Sequence, residues 1–241
     1  MKNKSSGIFI TFLFSMMFAT HPFTVGEKLI YSAGFQLLSA GQATMELELD
    51  SLHGHPYLHI TSTTKTNSIL DVLYKVRDRI EVWIDPEYFF LRKVVKQIRE
   101  GKYRKNYTAL IDNHNHTIST DNRTFSIPDN VFDPTSIIYY LRSQELKIGK
   151  QFKFHTYDNG KLKEILVNIT RKEKINVPAG NFNCYVVSPI SANNKKLLKN
   201  NGHMKIWYSD DPRKLPVKIE QKTNIGTMVL KLKKVILGLS E

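Results

Sequence analysis

The sequence predicts an all-β, mainly antiparallel fold: a curved sheet or open β-barrel carrying one or two short helices. Three observations predict it. Apolar and polar residues alternate with period two along much of the chain, an Asn-Gly pair sits between two such runs, and the connections are too short for repeated helical crossovers. With 41% hydrophobic residues there is material for a sizeable core, and barrels of roughly 200–250 residues are commonly one unit. We therefore expect a signal peptide over residues 1–20 and a single β-rich envelope domain over residues 21–241.

The N-terminal segment has the layout of a secretory signal. Lys2 and Lys4 give a positive start, and residues 7–19 form an apolar run too short for a bilayer, which needs about 20 apolar residues. Ala19 is a suitable small residue before a cut near Ala19 or Thr20. The expectation is an exported protein of the periplasm or cell envelope; the alternative reading of the same run is an uncleaved N-terminal anchor, and on either the domain leaves the cytoplasm. No Cys follows the run, so the lipid-modified terminus of a bacterial lipoprotein is not expected. The single Cys, Cys184, leaves no partner for an intramolecular disulfide and no basis for a structural zinc site built on cysteines.

Taken in chain order, Ala43, Met45, Leu47 and Leu49 alternate with Thr44, Glu46, Glu48 and Asp50, a strand with one wet face. Residues 67–74 place Ile69, Leu70, Val72 and Leu73 at helical spacing, a short helix or a loop plugging one end of a barrel. Ile80, Val82 and Ile84 alternate with Arg79, Glu81 and Trp83 until Asp85-Pro86 stops the run. The return strand, 89–99, carries Arg92, Lys93, Lys96 and Arg99 out of strict alternation, which predicts a twist or bulge. Asp133 and Pro134 form an N-cap and first helical residue, followed by Ile137, Ile138, Tyr140 and Leu141 as an apolar face. Asn159-Gly160 predicts a tight hairpin between 151–158 and 161–169. Further strands are read at 182–187, 204–209, 217–221 and 228–235, with a polar loop at 191–201. No internal repeat is evident in the residues.

The net charge of +13 stays strongly basic without Lys2 and Lys4. For an exported chain the available polyanions are phospholipid headgroups, lipopolysaccharide, acidic polysaccharide and peptidoglycan rather than nucleic acid. The histidine pairs His53 with His55 and His114 with His116 lie beside turn residues and lack a third ligand at metal spacing, so they read as exposed loop histidines. Cys184 lies among Phe182, Tyr185, Val186 and Val187, the setting of an inert buried thiol. Asp210-Asp211-Pro212 has turn composition. No nucleophile elbow, phosphate loop or zinc-protease helix is present, so neither catalysis nor a cofactor is expected.

Several segments together resemble a known family. Gly26-Glu27-Lys28-Leu29 with Tyr31, Ala40-Gly41 with Ala43, and then Tyr74, Val76 and Asp78 open the resemblance. It continues through the Asp133-Pro134 helix and Val177-Pro178-Ala179-Gly180-Asn181-Phe182, and ends with Ile206-Trp207-Tyr208-Ser209-Asp210-Asp211 and Leu215-Pro216-Val217-Lys218. In order and spacing these are similar to the exported bacterial proteins of domain of unknown function 3108. The resemblance implies a periplasmic or outer-envelope β-rich domain with no settled activity, and it supplies no catalytic residue.

Two readings remain. In the first, a non-enzymatic protein binds a lipid, an acylated species or an extended ligand on a concave β surface. Trp83, Phe90, Tyr140 and Trp207 then line the site, and Arg92, Lys96 and Arg99 act as rim charges for an anionic headgroup or envelope polymer, a reading that allows peripheral membrane contact. In the second, a structural or assembly factor with a filled core contacts another envelope protein or a cell-wall polymer through its surface.

Overall fold

The computed structural model describes residues 21–36, 38–52, 54–121, 123–158, 160–192, 202–223 and 226–238. The signal segment, its cleavage site, His53, Asn159 and most of the polar loop 191–201 lie outside the described residues. Fifteen strands form one sheet: β1 (Lys28–Phe35), β2 (Leu38–Leu52), β3 (His55–Thr66), β4 (Arg77–Ile84), β5 (Leu91–Glu100), β6 (Tyr103–Asp112), β7 (Thr117–Thr120), β8 (Arg123–Ser126), β9 (Val131–Phe132), β10 (Gln151–Asp158), β11 (Lys161–Val177), β12 (Gly180–Ser191), β13 (His203–Ser209), β14 (Pro216–Thr223) and β15 (Gly226–Ile236). Two helices interrupt them, α1 (Ser68–Leu73) and α2 (Pro134–Ser143). The spatial order runs from β8 back to β1, then from β15 back to β9. Every pairing is antiparallel except β9 with β10, which is parallel. The expected all-β, mainly antiparallel class is the one observed.

The sheet rolls on itself, because residues of β5, β6 and β8 meet residues of β10. Lys96 Nζ lies 2.7 Å from Asp158 Oδ1, the Tyr107 and Tyr157 hydroxyls are hydrogen-bonded, and Phe125 packs on Tyr157. The inward faces of the strands fill the interior, with Leu29, Tyr31, Leu47, Leu58, Ile60, Val82, Val94, Val167, Val186, Val217 and Leu232 all buried. Leu49, expected on this face, is 40% exposed, because β2 runs on past the rim of the barrel. The irregular alternation expected around Arg92 is a bulge: the β4–β5 register slips between Trp83 and Ile84, leaving Arg92 without an opposite residue.

The backbone repeats one six-stranded plan twice, over β1–β6 and β10–β15. Gly26 and Gly149 hold the same left-handed conformation, with φ of 85° and 86°, which a glycine adopts without steric cost. Each donates its N–H across the entry of its half, Gly26 to Leu47 O at 2.7 Å and Gly149 to Ile169 O at 2.9 Å, and Leu47 N and Ile169 N return bonds to Glu27 O and Lys150 O. Both Trp-bearing hairpins match as well. Trp83 pairs with Lys93 and Trp207 with Lys218, each followed by a register slip. Asp85 N bonds Phe90 O, and Ser209 N bonds Leu215 O. Phe89 and Lys214, just before those acceptors, both have positive φ. The expectation of no repeat is thereby corrected. Few residues are shared between the halves, whereas the hydrogen-bond plan is common to both.

The two joins between the halves differ. β1 and β15 are joined by a ladder from Lys28↔Ile236 to Phe35↔Met228. At the other join β6 pairs with β7, and β10 pairs with the two-residue β9. That seam is therefore bridged by side chains, not by a backbone ladder.

Candidate functional site

The site forms at the seam, around α2. Asp133 caps this helix: its Oδ1 accepts from Thr135 N at 2.7 Å, while Ser136 Oγ accepts from Asp133 N at 3.0 Å, a reciprocal capping box. Pro134 at the first helical position suits a site with no N–H to satisfy. Ile137, Ile138, Tyr139 and Leu141 are buried, so α2 closes one end of the barrel. Residues 67–74 do form a short helix, α1, but they do not plug the barrel, because no residue of α1 is buried.

On one side of α2, Arg142 is wholly buried against Glu27. Its two terminal nitrogens lie 2.5 and 2.9 Å from the Glu27 oxygens, Nε donates to Arg213 O at 3.2 Å, and the guanidinium stacks on Phe23 and Tyr139. Tyr31 donates to Pro216 O at 3.0 Å, and Tyr208 to Ile138 O. Burying two charges is tolerable only with this degree of pairing. Glu27 and Tyr31 belong to the first fragment of the family resemblance, so that fragment builds the end of the barrel rather than a reactive centre.

On the other side of α2 lies an open cleft of about 580 Å³, lined by Glu87, Tyr88, Phe90, Asp129, Asn130, Phe132, Tyr140, Gln144, Lys153, Phe154 and His155. The Tyr88-Phe89-Phe90 run supplies its floor through one conformational feature. Phe89, at φ 64°, turns inward and is 2% exposed, while Tyr88 and Phe90 stack with ring centres 5.6 Å apart. Because Lys214 holds the equivalent conformation in the matching hairpin of the second half, this backbone geometry belongs to the hairpin plan and is not a signature of function. Phe90 meets Phe132 edge to face, and Phe132 meets Tyr140 and Phe154 in the same way. Aromatic rings prefer this arrangement; Phe132 and Phe154 are buried by it, while Tyr88 is exposed and Phe90 and Tyr140 half-buried at the mouth.

The rim carries both signs of charge. Lys153 Nζ lies 2.8 Å and His155 Nε2 3.5 Å from Glu164 Oε2, and His155 Nδ1 lies 3.3 Å from Asp129 O. The Glu164 carboxyl is held below its ordinary range by hydrogen bonding to Lys153, with His155 adding to the effect. The lining contains no serine, threonine or cysteine. No cluster of three or more potential metal ligands occurs among the described residues.

Of the residues expected at a ligand site, the structure brings Phe90 and Tyr140 to this cleft and places the others elsewhere. Trp83 lies on the outer face of the sheet, its Nε1–H donating to Asp50 Oδ2 at 2.7 Å, its ring stacked on His59 and covered by Lys93 Nζ at 4.2 Å. Trp207 is its counterpart in the second half, with Nε1–H donating to Glu173 Oε2 at 2.6 Å and Lys218 Nζ at 4.1 Å over the ring. Hydrogen bonding from the indoles is the first cause that holds the Asp50 and Glu173 carboxyls below their usual range. Arg92 pairs with Asp85 at 3.4 Å, and Arg99 is exposed on β5 beside the start of β4, its backbone N–H bonded to Asp78. Lys96 is not a rim charge. It points into the barrel, 2.7 Å from Asp158 and 3.5 Å from Asp133. Burial opposes its charge, yet the two carboxylates hold its pKa above the ordinary lysine value. Lys96 thus fastens β5 to β10 and to the cap of α2.

Sequence reasoning missed Tyr88, Phe132, Phe154, Lys153 and His155. The aromatic doublet Phe152 and Phe154 on alternate positions of a strand, next to the capped helix, was a usable signal. Cys184 is buried as expected, and burial pushes its thiol up to about 12.

Comparison with known proteins adds fold and family but no activity. A sequence model of the DUF3108 family, described as "Protein of unknown function", matches residues 13–233. A structure described as a β-barrel-like protein of domain of unknown function DUF1849, from Brucella abortus, aligns with a TM-score of 0.59 at 10% identity, covering 90% of this chain and 99% of that one. A candidate lipoprotein from Parabacteroides distasonis aligns at 0.38 and 13% identity, covering 90% and 98%, a similarity too weak to bear on architecture. No match was found among curated proteins.

Proposed function

The chain belongs to the DUF3108 family, whose function is unknown, and we propose that it is a non-enzymatic envelope binding protein holding an acyl chain or other extended apolar ligand in the cleft beside α2. One observation carries this reading. Tyr88, Phe90, Phe132, Tyr140 and Phe154 surround about 580 Å³ of open space in a barrel whose remaining interior is lined by buried side chains. That volume falls within the roughly 300–1,000 Å³ of small-molecule sites. Covering exposed ring faces with an alkyl chain contributes about 25 cal/mol per Å² of apolar surface removed from water. The charged rim then fixes the polar end of the ligand. Lys153, 60% exposed at its side chain, is free to turn from Glu164 to a carboxylate or phosphate head, and Gln144 offers an amide donor.

At the rim of the cleft His155 lies 3.5 Å from the Glu164 carboxylate, a pairing that some hydrolases use for general acid–base work. Both nitrogens of His155 already face acceptors, and no serine, threonine or cysteine lines the space, so binding is the better-supported reading. The envelope location rests on the signal-like N-terminal run. Native mass spectrometry of protein purified from a bacterial periplasm, followed by organic extraction, tests the proposal. A stoichiometric acyl-containing species is expected. A clean apo mass, unchanged after incubation with envelope lipids, would transfer support to the assembly-factor reading.

A further inference from the structure

We infer that α1 and the turns beside it form a docking surface for an anionic phospholipid bilayer, at the end of the barrel opposite the cleft. Helices on globular proteins ordinarily turn their apolar face to the core; α1 does the reverse. Its polar side is fastened inward. Asn67 caps it by accepting from Leu70 N at 2.9 Å and donates to Ser39 O at 2.9 Å, while Asp71 accepts a forked pair of bonds from Arg77. Its apolar side faces water, with Ile69 78%, Val72 85%, Leu73 78% and Tyr74 52% exposed. Leu38, the first residue of β2, is 63% exposed, and Tyr103, the first residue of β6 after the β5–β6 turn, 54%. That turn abuts the helix through Gly101 N, which donates to Lys75 O at 2.8 Å.

Charge complementarity selects the occupant. The exposed apolar tip is ringed by Lys75, Arg99, Lys102 and Arg104, all exposed, whereas Asp71 is committed to Arg77 and the Glu100 carboxyl is raised by burial and by Asp78. A convex tip of a few aliphatic side chains, with two tyrosines and long cations around it, matches a soft interface whose headgroups are negative and whose tyrosine-favouring boundary lies just beneath. A rigid protein partner needs a broader complementary area. With α1 at one end of β4 and the Tyr88–Phe90 turn at the other, eight strand residues hold the cleft about 26 Å from the bilayer.

Co-sedimentation of the purified protein with vesicles tests this, using phosphatidylglycerol mixed equally with phosphatidylcholine against phosphatidylcholine alone. Binding to the anionic vesicles is expected, weakening as salt rises. Val72→Ser/Leu73→Ser should lower it at least ~10-fold and Lys102→Gln/Arg104→Gln about 25-fold, at about 5-fold per cation. Thermal midpoints should hold, since α1 buries no residue; should the helix variant melt early, the turn variant decides. Failure to bind anionic vesicles, equal binding to both compositions, or binding unchanged in the variants would overturn the inference. So would self-association through α1 without vesicle binding. Tyr140→Ala, on α2 and away from α1 and its neighbouring turns, should leave vesicle binding intact, so the two sites fail separately.

Discussion

The two halves of this barrel share a backbone plan and differ in how they meet. Where β1 meets β15, a hydrogen-bonded ladder closes the wall. Where β6 would meet β10, the wall is diverted into β7 and β9, and Lys96, Tyr107 and Tyr157 bridge the gap with side chains. Helix α2 settles its buried charge, Arg142, toward the first half's Glu27 and leaves Tyr140 on the open side. The cleft thus lies where the repeat breaks. Paired features, the two tryptophans and the two left-handed hairpin residues, are architecture, and the unpaired ones are the candidates for function.

The comparison can be broken at equivalent positions. Glu27 and Lys150 occupy the same place in the two halves, but only Glu27 sits in a buried ion pair. Arg142→Met strands that carboxylate and should cost about 3–5 kcal/mol in denaturant unfolding, whereas Lys150→Ala should stay within about 1 kcal/mol. Next in size is the seam. Lys96→Met leaves the buried Asp133 without its cation, and an unfolding cost of about 3 kcal/mol is expected. Faster amide exchange should follow at Val131 and along β10, with the β1–β15 ladder unaffected.

The tryptophans sharpen the same point with smaller effects. Lys93→Ala and Lys218→Ala should each cost about 0.5–1 kcal/mol through the ring contact, with Lys218→Ala the larger because Lys218 also pairs with Glu220 at 2.9 Å. Smallest is the acid response. Asp50 and Glu173 have folded-state pKa values below their ordinary 3.8 and 4.5, so the stability they contribute is present above those values and is lost as pH falls through the folded ones. Both tryptophans of the chain should therefore report a fluorescence change below pH 4.5, and Asp50→Asn and Glu173→Gln should each remove part of it.

The strand class, the Asp133-Pro134 helix and the hairpin joining β10 to β11 were legible because alternation, capping and turn chemistry are local. β3 was not, since its run of threonines and serines places polar residues on both faces. The repeat escaped because the hydrogen-bond plan tolerates almost any side chain. Its traces were the spacing from Gly26 to Asp50, identical to that from Gly149 to Glu173, and the Trp–Lys pairs at nearly equal spacing. For the site, Phe90 and Tyr140 were legible as aromatics, one on the return strand and one on the capped helix, while Trp83 and Trp207 were misleading. Burial alone does not distinguish a ring facing a cleft from one pinned to the outer wall by a carboxylate and a lysine. Lys96 looked like a surface cation because a sequence does not show that two carboxylates from distant segments converge on it.

Hydrogen–deuterium exchange with and without a long-chain fatty acid tests the central claim most directly. Protection is predicted in the β4–β5 turn, β9, the exposed side of α2 and the first half of β10, with the equivalent β13–β14 turn unchanged. Equal protection of both hairpins, or protection confined to the β1–β15 join, would contradict the assignment of the ligand site to the break in the repeat.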